Sequence, residues 1–207
     1  KEAFDTNWVV PLGPNVNAFE EDLKNFVGGK NEVVALSSGT AAVHLALLAC
    51  GVRPGDEVLV QSFTFCASSH PITYLGATPV FVDSEPDTWN MDPIALEKAF
   101  EIYPEVKVVV VAHLYGTPGK IDEIRAICQR HDAIIIEDAA ESLGASYKGV
   151  QTGTFGHYNA ISFNGNKIIT GSSGGMLLTD DLEAANKVRK WSTQSRENAP
   201  WYQHEEL

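Results

Sequence analysis

Hydrophobic and polar positions follow two different periods along the chain. Short runs of consecutive apolar residues, many of them valine and isoleucine, alternate with longer stretches in which apolar residues recur every three or four positions. The first pattern is typical of buried strands and the second of helices that pack on a sheet. Their alternation indicates βαβ units, and it predicts an α/β fold, a three-layer α/β/α sandwich around a mostly parallel sheet.

The apolar runs predict seven strands. They cover residues 32–36, 57–61, 78–82, 107–112, 133–137, 159–163 and 175–179. The valine run at 107–112 lacks polar alternation, so we expect this strand to be buried on both faces. In sheets of this kind, ligands bind beyond the carboxyl ends of the strands. The segments that follow the strands are therefore the first places to look for chemistry.

Helical patterns fill the intervals between these strands. The apolar stripe of a first helix consists of Phe19, Leu23, Phe26 and Val27. Further helices are predicted over 41–49 with Gly51 behind it, over 67–75, from Asp92 as N-cap with Pro93 at the first position, over 120–131, and from Asp180 or Asp181 to about Trp191. Residues 1–4 look like the end of a helix, and no stop signal follows 203–206. We therefore expect a piece of a longer protein.

Composition and charge narrow the class of protein. Hydrophobic residues make up 44% and charged residues 20% of the 207 residues, which suits a packed core. The formal net charge of −12 argues against a general nucleic-acid or anionic-membrane surface. Cys50, Cys66 and Cys128 are odd in number and far apart, which indicates neither a disulfide framework nor a zinc site. No apolar stretch reaches the roughly 18 residues of a membrane span, and no signal peptide is visible. We expect one domain over residues 1–207, located in the cytoplasm.

Lys167 is the most informative polar residue. It ends the segment SFNGNK (162–167), between a predicted strand and a glycine-serine turn. Pyridoxal phosphate chemistry needs such a lysine, whose amine forms a Schiff base with the cofactor aldehyde. It also needs an acid that keeps the pyridine nitrogen protonated. The alternative is a loop lysine beside a turn.

A cluster of acidic residues could supply the carboxylate that this chemistry needs. Glu137, Asp138 and Glu141 lie at and just beyond the end of the strand predicted at 133–137. A carboxylate here could face a pyridine nitrogen. Taken alone, the segment is equally compatible with a solvated loop of helix-capping acids, and a cation site is the less favoured alternative because ligand spacing is lacking.

A phosphate could bind where a strand gives way to a helix at residues 37–42. A helix N-terminus offers free N–H groups and a positive dipole end. Gly39 lets the backbone approach a ligand, and Ser38 and Thr40 carry hydroxyl donors, with Ser162 facing them from another strand. Taken alone, this segment is better explained as an ordinary N-cap. The chain has no GxxxxGK[ST] or GxGxxG motif, so neither a nucleoside triphosphate nor a dinucleotide is supported.

Two aromatic residues follow the second predicted strand. Phe63 or Phe65 could stack on a flat heteroaromatic ring, although a phenylalanine at a strand end more often belongs to the core. His113 and Tyr115 follow the valine-rich strand and are expected to point towards the same crevice. A structural role is the favoured interpretation for His113, and substrate contact is the second.

Taken in order, these segments resemble the DegT-type nucleotide-sugar aminotransferases, pyridoxal phosphate enzymes of the aspartate-aminotransferase fold (fold type I). The similarity covers nearly the whole chain. The matching blocks are LSSGTAA (36–42), QSFTF (61–65), Asp83, HLYG (113–116), EDAAESLG (137–144), SFNGNK (162–167), GGM (174–176), SREN (195–198) and YQH (202–204).

The resemblance implies a role for each matching residue. Lys167 corresponds to the lysine that binds the cofactor covalently and shuttles protons, and Asp138 to the partner of the pyridine nitrogen. Glu141 falls near the cofactor's phenolic oxygen, and Phe65, preferred to Phe63 on this ground, where an aromatic residue stacks on the ring. The residues at the positions that bind the phosphate are Gly39, Thr40 and Ser162.

The resemblance also implies a reaction and its partners. L-Glutamate would load its amino group, and a nucleotide-linked keto-deoxysugar would accept it. The SREN block is most similar to enzymes that aminate position 4 of a UDP-linked 6-deoxy-acetamido sugar. Family members are longer, with a C-terminal domain that closes the sugar site, and they form homodimers in which a partner loop completes the phosphate site. This chain would be the large domain, with no nucleic acid or membrane as partner.

Two alternatives stay open. Sugar dehydratases of the same fold carry a histidine in place of the lysine, so Lys167 argues against that activity. The other alternative is a non-catalytic α/β module, or an inert fragment that keeps the scaffold. The sequence does not exclude it.

Overall fold

The computed structural model describes residues 1–8, 10, 12–30 and 32–204. Its nine strands are β1 Glu32–Leu36, β2 Glu57–Gln61, β3 Thr78–Val82, β4 Val108–Ala112, β5 Ile134–Asp138, β6 Ser146–Tyr147, β7 Val150–Gln151, β8 Tyr158–Ser162 and β9 Gly175–Thr179. Its α-helices are α1 Glu2–Asp5, α2 Pro14–Val27, α3 Gly39–Ala49, α4 His70–Tyr74, α5 Pro93–Ile102, α6 Ile121–Arg130 and α7 Leu182–Ser192. Two 3₁₀ turns cover Cys66–Ser68 and Leu114–Gly116.

Seven of the strands form one sheet in the order β1-β9-β8-β5-β4-β2-β3. The pairs from β8 through β5, β4 and β2 to β3 are parallel, and β9 runs antiparallel to both β1 and β8. All seven predicted strands are present, within one residue of their expected bounds. The mostly parallel α/β fold is therefore confirmed. All five residues of β4 are buried, as the valine run predicted.

Neighbouring strand residues alternate between the two faces of the sheet. Val58 and Val60 pack with α3 and α7, whereas Leu59 packs with α5 and α6. The β4 valines alternate in the same way, because successive side chains of a strand point to opposite faces. The sheet is thus the middle layer of three. No helix in the described ranges is long and apolar enough to cross a membrane.

Most helix boundaries agree with the predicted caps. The carboxylate of Asp92 accepts a hydrogen bond from the Ile94 N–H at 2.9 Å at the start of α5, with Pro93 in its first turn. Asp181, rather than Asp180, caps α7 by accepting from the Ala184 N–H at 3.0 Å. Residues 2–5 form the short helix α1, where the end of a helix was expected, and residues 205 and 206 of the other terminus lie outside the described residues.

Three features differ from the predictions. The helix expected over 67–75 is divided into a 3₁₀ turn and α4, because Pro71 has no N–H to donate and therefore lies in the first turn of a new helix. In α2 only Leu23 and Val27 of the expected stripe are buried, while Phe19 and Phe26 are 43% and 59% exposed. The two-residue strands β6 and β7 were missed, because such short strands carry no periodicity.

Candidate active site

A cavity of about 240 Å³ lies at the carboxyl edge of the sheet. All eight residues selected from the sequence line it: Ser38, Gly39, Thr40, Phe65, Asp138, Glu141, Ser162 and Lys167. They come from the ends of four strands that are distant in sequence, namely β1, β2, β5 and β8. The fold brings them together because carboxyl ends of parallel strands meet at one edge.

Asp138 is the last residue of β5 and is 8% exposed. The Ser68 hydroxyl donates to its Oδ2 at 2.6 Å, and the Ala140 N–H donates to its Oδ1 at 3.1 Å. Burial raises the pKa of Asp138, against the lowering effects of these hydrogen bonds and of the Lys167 charge. Because burial disfavours the ionised form of this carboxyl group, a positive charge beside it would be favourable. A protonated ring nitrogen could supply that charge.

Lys167 reaches the same cavity from the loop after β8. Its side chain is 12% exposed, and its Nζ lies 3.7 Å from Glu141 Oε1 and 5.7 Å from the centroid of the Phe65 ring. The ammonium is therefore inside the cavity and not in bulk water. An amine, a buried carboxylate and an aromatic face all border one space large enough for a small planar ligand.

The N-terminus of α3 forms another wall. Ser38 Oγ caps the helix by accepting from the Ala41 N–H at 3.0 Å, as the N-cap interpretation expected. The hydroxyl proton of Ser38 remains able to donate, and the first N–H groups of α3 have no partner within the helix. The helix end points into the cavity, so capping and anion binding are compatible here.

Two glycines permit this close approach. A Cβ on Gly39 would lie 2.8 Å from Ser162 Cβ, and one on Gly175 would lie 2.2 Å from the carbonyl carbon of Ser38. Any larger residue at either position would push α3 away from β8 and β9. The contact places the Ser162 hydroxyl opposite the first turn of α3.

The structure also separates the aromatic and histidine candidates. Phe65 lines the cavity, whereas Phe63 packs edge-on against Trp89 with centroids 5.8 Å apart.

Both ring nitrogens of His113 have protein partners: Nδ1 accepts from the Gly119 N–H at 3.3 Å, and Nε2 donates to Glu137 Oε1 at 2.9 Å. His113 lines the cavity, as expected, and its favoured structural role agrees with these contacts. Tyr115 is 82% exposed and is not among the cavity-lining residues, so its expected orientation was wrong.

Glu137 differs in role from its neighbour Asp138. It is completely buried, and besides His113 it accepts hydrogen bonds from the N–H groups of Gly153 at 2.6 Å, Phe155 at 2.7 Å and Gly156 at 3.1 Å. The carboxylate therefore joins β5 to the loop that precedes β8. This acid is structural, and it does not line the cavity.

Replacing Glu137 with glutamine is expected to lower the free energy of unfolding by about 2–3 kcal/mol. The amide keeps one acceptor oxygen, but its NH₂ group would face N–H donors in a completely buried site. Urea denaturation of Glu137→Gln measures this loss, with Glu101→Gln, at an exposed position of α5, as the control. An equal effect in both variants would contradict the structural assignment.

Sequence reasoning missed several residues that line the cavity or support its walls. Ser68 lies seven positions beyond the end of β2, and only the 3₁₀ turn brings its hydroxyl back to Asp138. Thr64 supports it, with the two hydroxyl oxygens 2.8 Å apart. A hydroxyl residue in a loop after a strand was the available signal, but it is too common to single out Ser68. Asn164 and Asn166 also line the cavity and belong to the segment that ends in Lys167.

Comparisons with known proteins show the family and the fold of the chain. The model of the DegT/DnrJ/EryC1/StrS aminotransferase family matches residues 1–207. The chain is 54% identical to EpsN of Bacillus subtilis over 210 residues, covering all of this chain and 54% of that protein. It is 44% identical to the GDP-perosamine synthase of Caulobacter vibrioides, covering 91% of this chain and 50% of that enzyme.

The fold matches a solved structure closely. A DegT DnrJ EryC1 StrS aminotransferase from Brucella abortus superimposes with a TM-score of 0.90 and 33% identity, covering 100% of this chain and 56% of that one. The architecture is that of the fold type I aminotransferases. The chain spans about half the length of the curated relatives it matches. It belongs to the DegT/DnrJ/EryC1/StrS aminotransferase family, whose aminotransferases use pyridoxal phosphate.

Proposed function

We propose that this chain is the cofactor-binding part of a pyridoxal phosphate-dependent aminotransferase that acts on a nucleotide-linked keto-deoxysugar. The observation that carries the proposal is the convergence of Lys167 and Asp138 on one cavity, the first within 3.7 Å of Glu141 and the second buried at the end of β5. Family membership over residues 1–207 supports it.

The cavity residues fit the chemical groups of the cofactor. Asp138 would hold the pyridine nitrogen, and Lys167 Nζ would attack the aldehyde carbon. Phe65 would cover one face of the ring, and Glu141 would face the phenolic oxygen. The phosphate would bind at the α3 N-terminus through Ser38, Gly39 and Thr40, with the Ser162 hydroxyl opposite them.

These contacts give the cofactor, Asp138 and Lys167 different chemical roles. Pyridoxal phosphate, when bound, accepts the donor's amino group and the electron pair released at the reacting carbon. Asp138 keeps the proton on the ring nitrogen, and its burial strengthens that interaction. Lys167 would hold the cofactor covalently, and its amine, once free, would take up the proton that leaves the donor's reacting carbon.

The substrates are inferred from the relatives. One is named as a synthase of GDP-perosamine, a nucleotide sugar. Another is named UDP-2-acetamido-2-deoxy-3-oxo-D-glucuronate aminotransferase. We infer a nucleotide-linked keto sugar as acceptor and L-glutamate as donor. The finer assignment, position 4 of a UDP-linked 6-deoxy-acetamido sugar, rests on the SREN block at 195–198.

Domain organisation, oligomeric state and location belong to the same proposal. Residues 1–207 would be the large domain of an enzyme about twice as long, like the relatives. A homodimer would cover apolar side chains on segments that line the cavity or adjoin Lys167, where Phe65, Ile168 and Ile169 are 56–63% exposed. The three free thiols fit a reducing compartment such as the cytoplasm.

An isotope experiment tests the function. The protein in its full-length form is incubated with pyridoxal phosphate, ¹⁵N-labelled L-glutamate and a panel of UDP-, GDP- and dTDP-linked keto sugars. We expect one ¹⁵N atom to enter one sugar of the panel, detected by mass spectrometry. Loss of water from the sugar without nitrogen uptake would favour the dehydratase. Failure to take up the cofactor would favour a non-catalytic module.

A further inference from the structure

The turn between β4 and α6 holds a residue in an unfavourable backbone conformation beside the cavity. Tyr115 has φ 52° and ψ 29°, in the left-handed region that disfavours residues with a Cβ. Its side chain is 82% exposed, so packing of the ring does not offset the strain. Conformations of this kind persist only where surrounding contacts impose them, and they concentrate at functional sites.

The strained conformation directs a backbone donor at a cavity residue. The Tyr115 N–H donates to Glu141 Oε2 at 2.7 Å. The other oxygen of this carboxylate, Oε1, lies 3.7 Å from Lys167 Nζ. Glu141 is therefore held from two sides, by a fixed N–H group and by the lysine. Without the Tyr115 contact, a side chain that is 27% exposed would be free to turn towards solvent.

A single buried amide holds both ends of this turn. Asn90 is completely buried in the loop between β3 and α5. Its Oδ1 accepts from the Leu114 N–H at 2.8 Å, and its Nδ2 donates to the Thr117 carbonyl at 2.9 Å. Nδ2 also lies 3.1 Å from Thr88 Oγ1, which anchors the amide within its own loop. The side-chain amide thus bonds one backbone group on each side of Tyr115, the Leu114 N–H before it and the Thr117 carbonyl after it.

Only an amide satisfies this arrangement. The site needs an acceptor and a donor on one short side chain, which serine cannot supply at both distances and aspartate cannot supply at all. Buried networks of this kind rigidify a structure when every member has a partner. Asn90 has three partners of the right type.

We propose that Asn90 is a positioning residue for Glu141. It holds the turn in the conformation that aims the Tyr115 N–H at the Glu141 carboxylate. The consequence for cofactor binding rests on the proposed function, whereas the positioning itself does not. Asn90 makes no contact with the cavity, and it acts through Leu114, Tyr115 and Glu141 in sequence.

Hydrogen exchange tests the positioning in the cofactor-free protein. The Tyr115 amide is on an exposed residue, so its protection from exchange depends on its bond to Glu141. We expect NMR-detected exchange of this amide to accelerate about tenfold in Asn90→Ser and in Glu141→Ala. Asp87→Asn, in the same loop but 74% exposed, is the matched control and should leave the rate unchanged. Unchanged exchange in Asn90→Ser would overturn the proposal.

A double-mutant cycle tests the route to the cofactor. Pyridoxal phosphate is titrated into the protein, and its dissociation constant and the pH midpoint of its absorbance band are measured. We expect Asn90→Ser to weaken binding about tenfold in the parent protein and by less than about twofold in the Glu141→Ala background. It should shift the pH midpoint only where Glu141 is present. Equal effects in both backgrounds would mean a general structural role and would contradict the proposal.

A second variant covers the case in which Asn90→Ser does not fold, as judged by circular dichroism. Tyr115→Gly keeps the N–H group and removes the cost of the left-handed conformation. Added to Asn90→Ser, it should restore most of the protection of the residue-115 amide, and no recovery would contradict the proposal. If no variant and no parent protein binds pyridoxal phosphate, the proposed function fails while the exchange result still decides the positioning.

Discussion

Lys167→Ala is expected to abolish amino transfer, with a loss of about 10⁴-fold or more, because the proposed function assigns both the nucleophile and the proton carrier to this side chain. General acid–base catalysis alone contributes roughly 10²–10⁴-fold, and the covalent role adds to it. The side chain is 12% exposed and its ion pair with Glu141 is long, at 3.7 Å, so its loss should cost little stability. Turnover with L-glutamate and the keto sugar measures the effect, and the absorbance band of the lysine-bound cofactor should vanish with it.

Two control variants distinguish the loss of the Lys167 amine from the loss of its positive charge. Lys167→Arg keeps a cation beside Glu141 but offers no nucleophile at neutral pH, so it should be as inactive as the alanine variant. Lys148→Ala removes a lysine whose side chain is 69% exposed and pairs with Asp122 on the surface, and it should retain full activity. Substantial turnover in Lys167→Arg would refute covalent attachment at this residue.

Asp138→Asn is expected to retain pyridoxal phosphate but to lose amino transfer by about 10³-fold. The amide leaves the ring nitrogen without a carboxylate to hold its proton, and removing one such preorganised group typically costs this much. Binding should survive because the phosphate, lysine and aromatic contacts remain. Single-turnover measurements with L-glutamate test the first half of the reaction directly. Asp122→Asn on the surface is the control, and near-normal turnover in Asp138→Asn would contradict the assigned role.

The same substitution should have a separate effect on the cofactor-free protein. Burial raises the pKa of Asp138 in the folded state. A raised pKa means that the folded state holds its proton more tightly than the unfolded state does. The stabilising contribution is therefore complete at low pH and is lost as the pH rises through the raised pKa. Urea denaturation across this range should show the decline in the parent protein and not in Asp138→Asn, which should be the more stable of the two at neutral pH.

Much of the fold could be predicted from local patterns. The run at 107–112 contains four valines, and such a segment has almost no stable alternative to a strand buried on both faces. Asp92 and Pro93 specify the start of α5 through chemistry contained in two residues. The failures have equally local causes. A proline divided the helix expected at 67–75, and in α2 periodicity assigned Phe19 and Phe26 to the core although they are 43% and 59% exposed.

Those residues of the candidate site that follow a strand in the sequence could be predicted. Lys167 and Asp138 each follow a strand, and strand ends meet at one edge of a parallel sheet. The roles of adjacent residues were not predictable in this way. Glu137 and Asp138 are both acids at the end of β5, yet only Asp138 faces the cavity while Glu137 binds the loop before β8. Strand geometry sends neighbours to opposite faces, and the sequence does not say which face holds the ligand.

Residue types and their order were therefore sufficient to determine the layered α/β fold, the edge of the sheet at which the candidate site lies and the lysine and carboxylate that meet there. Only the tertiary structure decided which groups support that pair. Ser68 approaches Asp138, and Asn90 reaches the turn beside Glu141, across long stretches of chain. Each of these contacts depends on the distance and angle between two loops, and loop conformation is set by packing with the rest of the protein rather than by any period in the sequence.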